Sequence, residues 1–266
     1  MFTSDELASI KSSVEFLCRE VGAIIVSKRK QAFRVDEKAF NNLVTEVDKY
    51  AETLLVDGLK SIVPQAGFLA EEGTGEPASS GLNWIIDPID GTTNFVHDIP
   101  LYCISIALAQ GEQILVGVVY EPNREECFSA FIGGGSVLNG KAVSVSEATE
   151  LAQSLLATGF PYDDFGREAG YFEVLRDFTH QTRGIRRLGS AALDLAYVAV
   201  GRFEAFYEYG LNPWDVAAGM LLVEEAGGKV SDFKGGKQVL FGEEIIASNG
   251  HIHPAIEKVI QHTFMA

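Results

Sequence analysis

The chain of 266 residues is short of basic residues, of cysteine and of long apolar runs. Only 21 lysines and arginines stand against 37 aspartates and glutamates, a formal net charge of −16 at pH 7. That balance argues against a nucleic-acid-binding surface, which needs a positive field to displace condensed counterions. Cys18, Cys103 and Cys127 are an odd set without CxxC spacing, each among apolar neighbours. They are expected as buried free thiols in a reducing compartment. No apolar run approaches the roughly 20 residues that span a bilayer, and the N-terminal residues lack the pattern of a secretory signal. The expectation is a cytoplasmic protein with neither membrane nor nucleic acid as partner. Repeats and low-complexity segments are missing too. No Ser-His-Asp or Cys-His pattern stands out, which leaves nucleophilic catalysis by a side chain without a good candidate. His251 and His253 have a spacing that could mimic a metal pair, but they follow "IASNG", where a helix cap is the better account.

What the chain does have is apolar and acidic. An apolar fraction of 47% suits a soluble globular protein able to bury a substantial core. Leu7, Ile10, Val14, Leu17, Val21 and Ile24 recur at helical spacing behind a Thr3/Glu6 capping box, which predicts a helix from Thr3 to about Lys30. A second helix is expected from about Thr45 to Ile62. The polar segment "QAFRVDEKAFNN" between them reads as an irregular, mobile loop. From residue 83 the period changes, and "LNWIID", "LYCISIALAQ", "EQILVGVVYEP" and "ECFSAFIG" read as strands. In "VLNGKAVSVS", Asn139-Gly140 suits a type I′ hairpin turn. After about residue 150 strands and helices alternate, with helices predicted over 164–178, 190–200 and 213–226 and a last one at the C-terminus. Such alternation implies layered α/β packing with ligands at the carboxyl ends of strands. The change of pattern predicts an N-terminal α+β subdomain over residues 1–150 and a C-terminal α/β subdomain over residues 151–266.

The candidate chemistry lies in acids at the edges of apolar elements. In "WIIDPIDGTTNF" Asp87 ends an apolar strand, and Pro88 has no N–H to continue a ladder, so the chain is expected to turn there. The turn can aim Asp87, Asp90 and the Ile89 carbonyl to one side. Hard oxygens arranged this way suit Mg²⁺. Gly91, Thr92 and Thr93 then start a helix whose free amides could bind phosphate, or Asp90 and Thr92 could simply cap it. Glu71 in "GFLAEEG" ends a segment that could lie beside the 83–87 strand, near Asp87. Asp48 and Asp215 each fit the third position of a helix capping box as well as a site.

These residues resemble the inositol monophosphatase family of lithium-sensitive, metal-dependent phosphatases. The resemblance rests on "NLVTEVD" at 42–48, "AEEG" at 70–73, "WIIDPIDGTTNFVH" at 84–97, "RLGSAALDLAYVA" at 187–199 and "YEYGLNPWDVAAGMLLVEEAGG" at 207–228, in the family's order. It implies a layered α-β-α-β-α sandwich of the inositol monophosphatase/fructose-1,6-bisphosphatase kind. It makes Glu71, Asp87 and the Ile89 carbonyl ligands of one Mg²⁺, and Asp87, Asp90 and Asp215 ligands of a second, with a weaker third ion near Glu71. Asp48 and Thr92 would orient and activate water, and the Gly91 and Thr92 amides would receive phosphate. Asp90, Ser190, Ala191 and Glu208 would line the pocket for substrate hydroxyls. The resemblance further implies a small-molecule phosphate monoester as substrate and a homodimer. Lys38 is the nearest match to a lysine that the family often carries in the loop before Asp48, and no role is assigned to it. Asn212 falls near the leaving group at a position that varies within the family.

Overall fold

The computed structural model describes residues 2–39, 42–161 and 166–264, with side chains of 37–42 and 263–264 outside the description. Helix α1 (Ser4–Arg29) starts at the expected capping box, the Thr3 amide donating to Glu6 Oε2 at 2.7 Å. The segment expected as an irregular loop instead holds strand β1 (Val35–Ala39), antiparallel to β2 (Asn42–Thr45), with Val35 opposite Thr45. Backbone pairing does not require an apolar face, and so short a polar ladder leaves no periodicity to read. Lys38 lies on β1, its side chain outside the described ones. Helix α2 (Glu46–Ile62) follows.

Seven strands then form one sheet in sequence order: β3 (Gly67–Ala70), β4 (Leu82–Asp90), β5 (Cys103–Gln110), β6 (Gln113–Glu121), β7 (Glu126–Phe131), β8 (Ser136–Leu138) and β9 (Lys141–Ala142). β3 runs parallel to β4 and the remaining pairs are antiparallel. Asn139 and Gly140 between β8 and β9 have φ of 49° and 76°, the two positive values that a type I′ turn demands. β4 does not leave the sheet at Pro88 as expected. It pairs Asp87 with Ser105 and then Asp90 with Cys103, three residues along β4 against two along β5. The extra residue is a bulge, which accommodates a proline within a ladder and re-aims the side chains around it. A single turn of helix, α3 (Thr92–Val96), comes next.

A second sheet has the order β11-β10-β12-β14-β13, built from β10 (Leu155–Thr158), β11 (Gly184–Arg186), β12 (Ala205–Tyr209), β13 (Lys229–Ser231) and β14 (Glu244–Ser248). β10 is parallel to β11 and β12, and β14 is antiparallel to β12 and β13. Helices α4 (Glu168–Gln181), α5 (Ala191–Ala199), α6 (Pro213–Glu225) and α7 (His253–Phe264) complete the chain. Of the helix expected over 164–178, the described part begins at Glu168 and runs to Gln181.

Side-chain alternation shows how the layers stack. On β4, Trp84 and Ile86 join the core under α1 and α2, whereas Ile85 faces the core around α5 and α6. On β14, Ile245 and Ala247 face that same central core, while Ile246 packs with Tyr171, Val174, Ile256 and Ile260 of α4 and α7. The result is the expected α-β-α-β-α sandwich. Both sheets are covered on both faces, which is why their strands read as nearly unbroken apolar runs.

Cys18, Cys103 and Cys127 are free and buried, as expected. Among the described residues no helix is long and apolar enough to cross a membrane. His253 is fully buried at the start of α7, with Nδ1 2.8 Å from Ser248 Oγ and Nε2 3.0 Å from Ser231 Oγ and 3.1 Å from Glu257 Oε1. His251 is half-exposed and faces Glu147 at 3.9 Å, so the two histidines serve different surroundings and form no metal pair.

Candidate active site

Four helix starts, those of α2, α3, α5 and α6, meet at the bulged end of β4. They enclose a cleft of about 110 Å³ lined among others by Glu71, Asp87, Ile89, Asp90, Gly91, Thr92, Ser190, Ala191, Glu208 and Asp215. Every residue given a site role by the family resemblance except Asp48 lines it directly. Asp48 reaches it through Thr92, whose Oγ1 lies 3.0 Å from Asp48 Oδ1 and 3.1 Å from the Ile89 carbonyl oxygen.

The capping reading of these acids is realised, and the capped acids stand together at the cleft. Asp48 Oδ2 accepts from the Thr45 amide at 2.8 Å at the start of α2. Asp215 Oδ2 accepts from the Asn212 amide at 2.7 Å at the start of α6. Asp90 Oδ2 accepts from Ser190 Oγ and from the Ala192 amide, both at 2.7 Å, at the start of α5. Asp87 Oδ1 takes the Ile89 amide across the bulge at 2.9 Å. One oxygen of each carboxylate thus fixes its position against a backbone amide, and each group carries a second oxygen. Ligand atoms of Asp87, Asp90 and Asp215 all lie within 4.8 Å of one another. Glu71 joins them because β3 lies parallel beside β4, its amide donating to the Ile86 carbonyl at 3.1 Å, and its carboxyl is hydrogen-bonded to that of Asp87.

Crowding these acids out of water has an electrostatic signature. Burial, then repulsion from Glu71, Asp90 and Asp215, pushes the Asp87 carboxyl well above the ordinary range. Burial raises Asp90 to about 6 against the restraint of its Ser190 and Ala192 bonds. Asp215 is pushed well up by burial and by Asp90, and Asp48 rises to about 6 through burial. Across the cleft, burial lifts Glu208 to about 8, with the Arg187 guanidinium opposing and Asp215 and Asp90 adding. Buried carboxyls that repel one another are stabilised as anions by donated hydrogen bonds and by a positive partner. The donor set, several carboxylate oxygens and one carbonyl, fits a hard divalent cation of the Mg²⁺ kind.

Several lining residues escaped the sequence reading. Gly159 is one: a Cβ there would lie 2.0 Å from Glu208 Oε1, so the carboxyl occupies the space a side chain would fill. Nothing in the order of residues marks that approach. Asp194 had a usable signal, a lone charge in the otherwise apolar helix α5. Asn94 does not line the cleft, but its side-chain amide donates to the Leu101 and Leu188 carbonyls at 2.7 Å each and ties α3 to the segment before α5.

Comparison with known proteins agrees with this fold. The model of the inositol monophosphatase family matches residues 6–263. A Pseudomonas aeruginosa protein named Nus factor SuhB is 41% identical over 260 residues, covering 96% of this chain and 94% of that protein. An inositol-1-monophosphatase of Mesorhizobium japonicum is 41% identical over 237 residues, 89% of each chain. The crystal structure of the extragenic suppressor protein suhB from Bartonella henselae superposes with a TM-score of 0.91 at 37% identity, covering 95% of this chain and 98% of that one. The chain, with its acids gathered at four helix starts, belongs to the inositol monophosphatase family.

Proposed function

We propose that this chain is a Mg²⁺-dependent phosphate monoester hydrolase that acts on inositol monophosphates. The observation that carries the reading is the convergence of Asp87, Asp90 and Asp215 beside the Asp48–Thr92 pair. Glu71, Asp87 and the Ile89 carbonyl would hold one Mg²⁺, and Asp87, Asp90 and Asp215 a second, with a weaker third near Glu71. Bound ions there supply charge neutralisation and an acidified water. The protein's own groups do the positioning. Thr92 orients the water, and Asp48, raised to about 6, accepts its proton near neutral pH. The Gly91 and Thr92 amides receive the phosphate, Gly91 adopting a φ of 102° that a side chain would strain. Asp90, Ser190, Ala191 and Glu208 take the substrate's hydroxyls. The working assembly is a homodimer in the cytoplasm.

The competing substrates are fructose 1,6-bisphosphate, histidinol phosphate, NADP and 3′-phosphonucleotides. Inorganic phosphate release from this panel, with and without Mg²⁺, tests the proposal. The inositol ester is expected at the head and only with Mg²⁺; a rank among the poorest would sink the substrate assignment. The relative named Nus factor supports a second reading, in which the scaffold serves as a protein-interaction regulator. A panel without any Mg²⁺-dependent release would favour it.

Gly159→Ala gives a sharper check on the substrate side. The Cβ overlaps the far end of the Glu208 side chain, so the chain folds and the carboxyl moves. KM for inositol 1-phosphate is expected to rise about tenfold, the loss of roughly one hydrogen bond to a carboxyl, with kcat changed far less. An unchanged KM would show that Glu208 does not touch the substrate.

A further inference from the structure

Every residue of α5 is buried, and its composition is Ala, Leu, Val and Tyr apart from Asp194. Asp194 is 1% exposed and lines the cleft one helical turn beyond Ala191. Its Oδ1 is buried and meets no hydrogen-bond donor among the described residues. The start of α5 is already capped, because Ser190 Oγ accepts from the Leu193 amide at 3.3 Å, so Asp194 is not needed as a cap. A buried oxygen without a donor destabilises a fold. A leucine or alanine would suit this helix better on packing alone. The carboxyl that acts on it most strongly is Glu208 on the adjoining strand β12, followed by Asp90. Two buried carboxyls therefore share the wall of the cleft with the proposed Mg²⁺ ligand Asp90.

We infer that Asp194 is a specificity-determining residue whose Oδ1 accepts a hydrogen bond from a substrate hydroxyl next to the one Glu208 takes, selecting phosphate esters of polyols with adjacent hydroxyls. The inference deepens the phosphatase reading and rests on it. An inositol ester offers two neighbouring hydroxyls to the two carboxyls. An aryl phosphate offers none and leaves both unsatisfied. Sites built around buried groups of this kind discriminate strongly against analogues that lack the matching hydroxyl.

The test compares the full chain with Asp194→Ala and Asp194→Asn in Mg²⁺, on myo-inositol 1-phosphate and 4-nitrophenyl phosphate. The ratio of kcat/KM between the two esters is expected to fall about tenfold in Asp194→Ala, through KM for the inositol ester. Asp194→Asn keeps an acceptor oxygen of the same shape, and the ratio should return to within about threefold of the native value. Should Asp194→Ala fail to melt cooperatively, the near-isosteric Asn variant decides alone by a selective two- to threefold rise in KM for the inositol ester. Equal losses on both esters would mark a purely structural aspartate and overturn the inference, as would an unchanged ratio. If the native chain released phosphate from neither ester, the phosphatase reading itself would fall, an outcome distinct from either.

Discussion

Asp90→Asn is expected to lower Mg²⁺-dependent phosphate release by at least about 10³-fold while the protein still melts cooperatively. The fold survives because the amide oxygen of Asn can still accept from Ser190 Oγ and the Ala192 amide, the two bonds that tie β4 to α5. What disappears is a charge. A thousandfold loss corresponds to about 4 kcal/mol of transition-state stabilisation, in the range expected for a ligand shared between metal and substrate. A stability effect of opposite sign should accompany it. Asp90 repels Asp87 and Asp215, so in EDTA the variant should melt no lower than the native chain, and higher if that repulsion dominates. Phosphate release and melting curves with and without EDTA check both halves. Near-native turnover would remove Asp90 from the proposed ligands. A large drop in melting temperature would mean that the Ser190 and Ala192 bonds need the carboxylate itself.

The structural hydrogen bonds of these acids explain why the sequence was informative and yet ambiguous about the site. Thr45-x-x-Asp48 and Asn212-x-x-Asp215 are helix-start patterns, and the helices do start there, so a capping account of either acid was correct as far as it went. Local spacing carries the cap. It does not carry the meeting of α2, α3, α5 and α6 at one point, which depends on how two sheets and two central helices stack. Resemblance to a family supplied that meeting in advance. The bulge at Pro88 was half legible: proline announced a break in pairing, but not that Asp90 would re-enter the ladder opposite Cys103. The β1–β2 hairpin was illegible because strands of five and four residues are too short to show a period, even though Val44 and Thr45 of β2 are buried. Gly159 stands out only through what faces it, Glu208, and one-dimensional order does not record facing partners.

Mg²⁺ is expected to raise the melting temperature by about 5–10 °C at pH 8 and by much less at pH 5. The sign follows from the carboxyls. Asp87, Asp90 and Asp215 are all pushed above the unfolded value of 3.8 by burial and mutual repulsion. A folded-state pKa raised above the unfolded one stabilises the fold below the unfolded value, and that stability is lost as pH rises through the folded value. For Asp90 the window runs from about 4 to about 6, and the strongly raised Asp87 and Asp215 extend it upward. In EDTA the chain should therefore melt progressively lower as pH rises from 5 to 8. A cation that binds only the folded carboxylates reverses the loss, adding about 2.7 kcal/mol at a hundredfold excess over its dissociation constant. For a chain of this size that is worth several degrees. At pH 5 the ion must first displace protons, so its binding weakens and releases them. The general negative charge of −16 also favours Mg²⁺ at alkaline pH, through surface screening alone. NaCl at matched ionic strength isolates that part, and Asp215→Asn isolates the cluster. A Mg²⁺ gain equal to the NaCl gain, or unaltered in Asp215→Asn, would mean that the ion stabilises the surface and not the cleft. Proton release on Mg²⁺ binding, read by calorimetry in two buffers of different ionisation heat, gives the same answer without unfolding the protein.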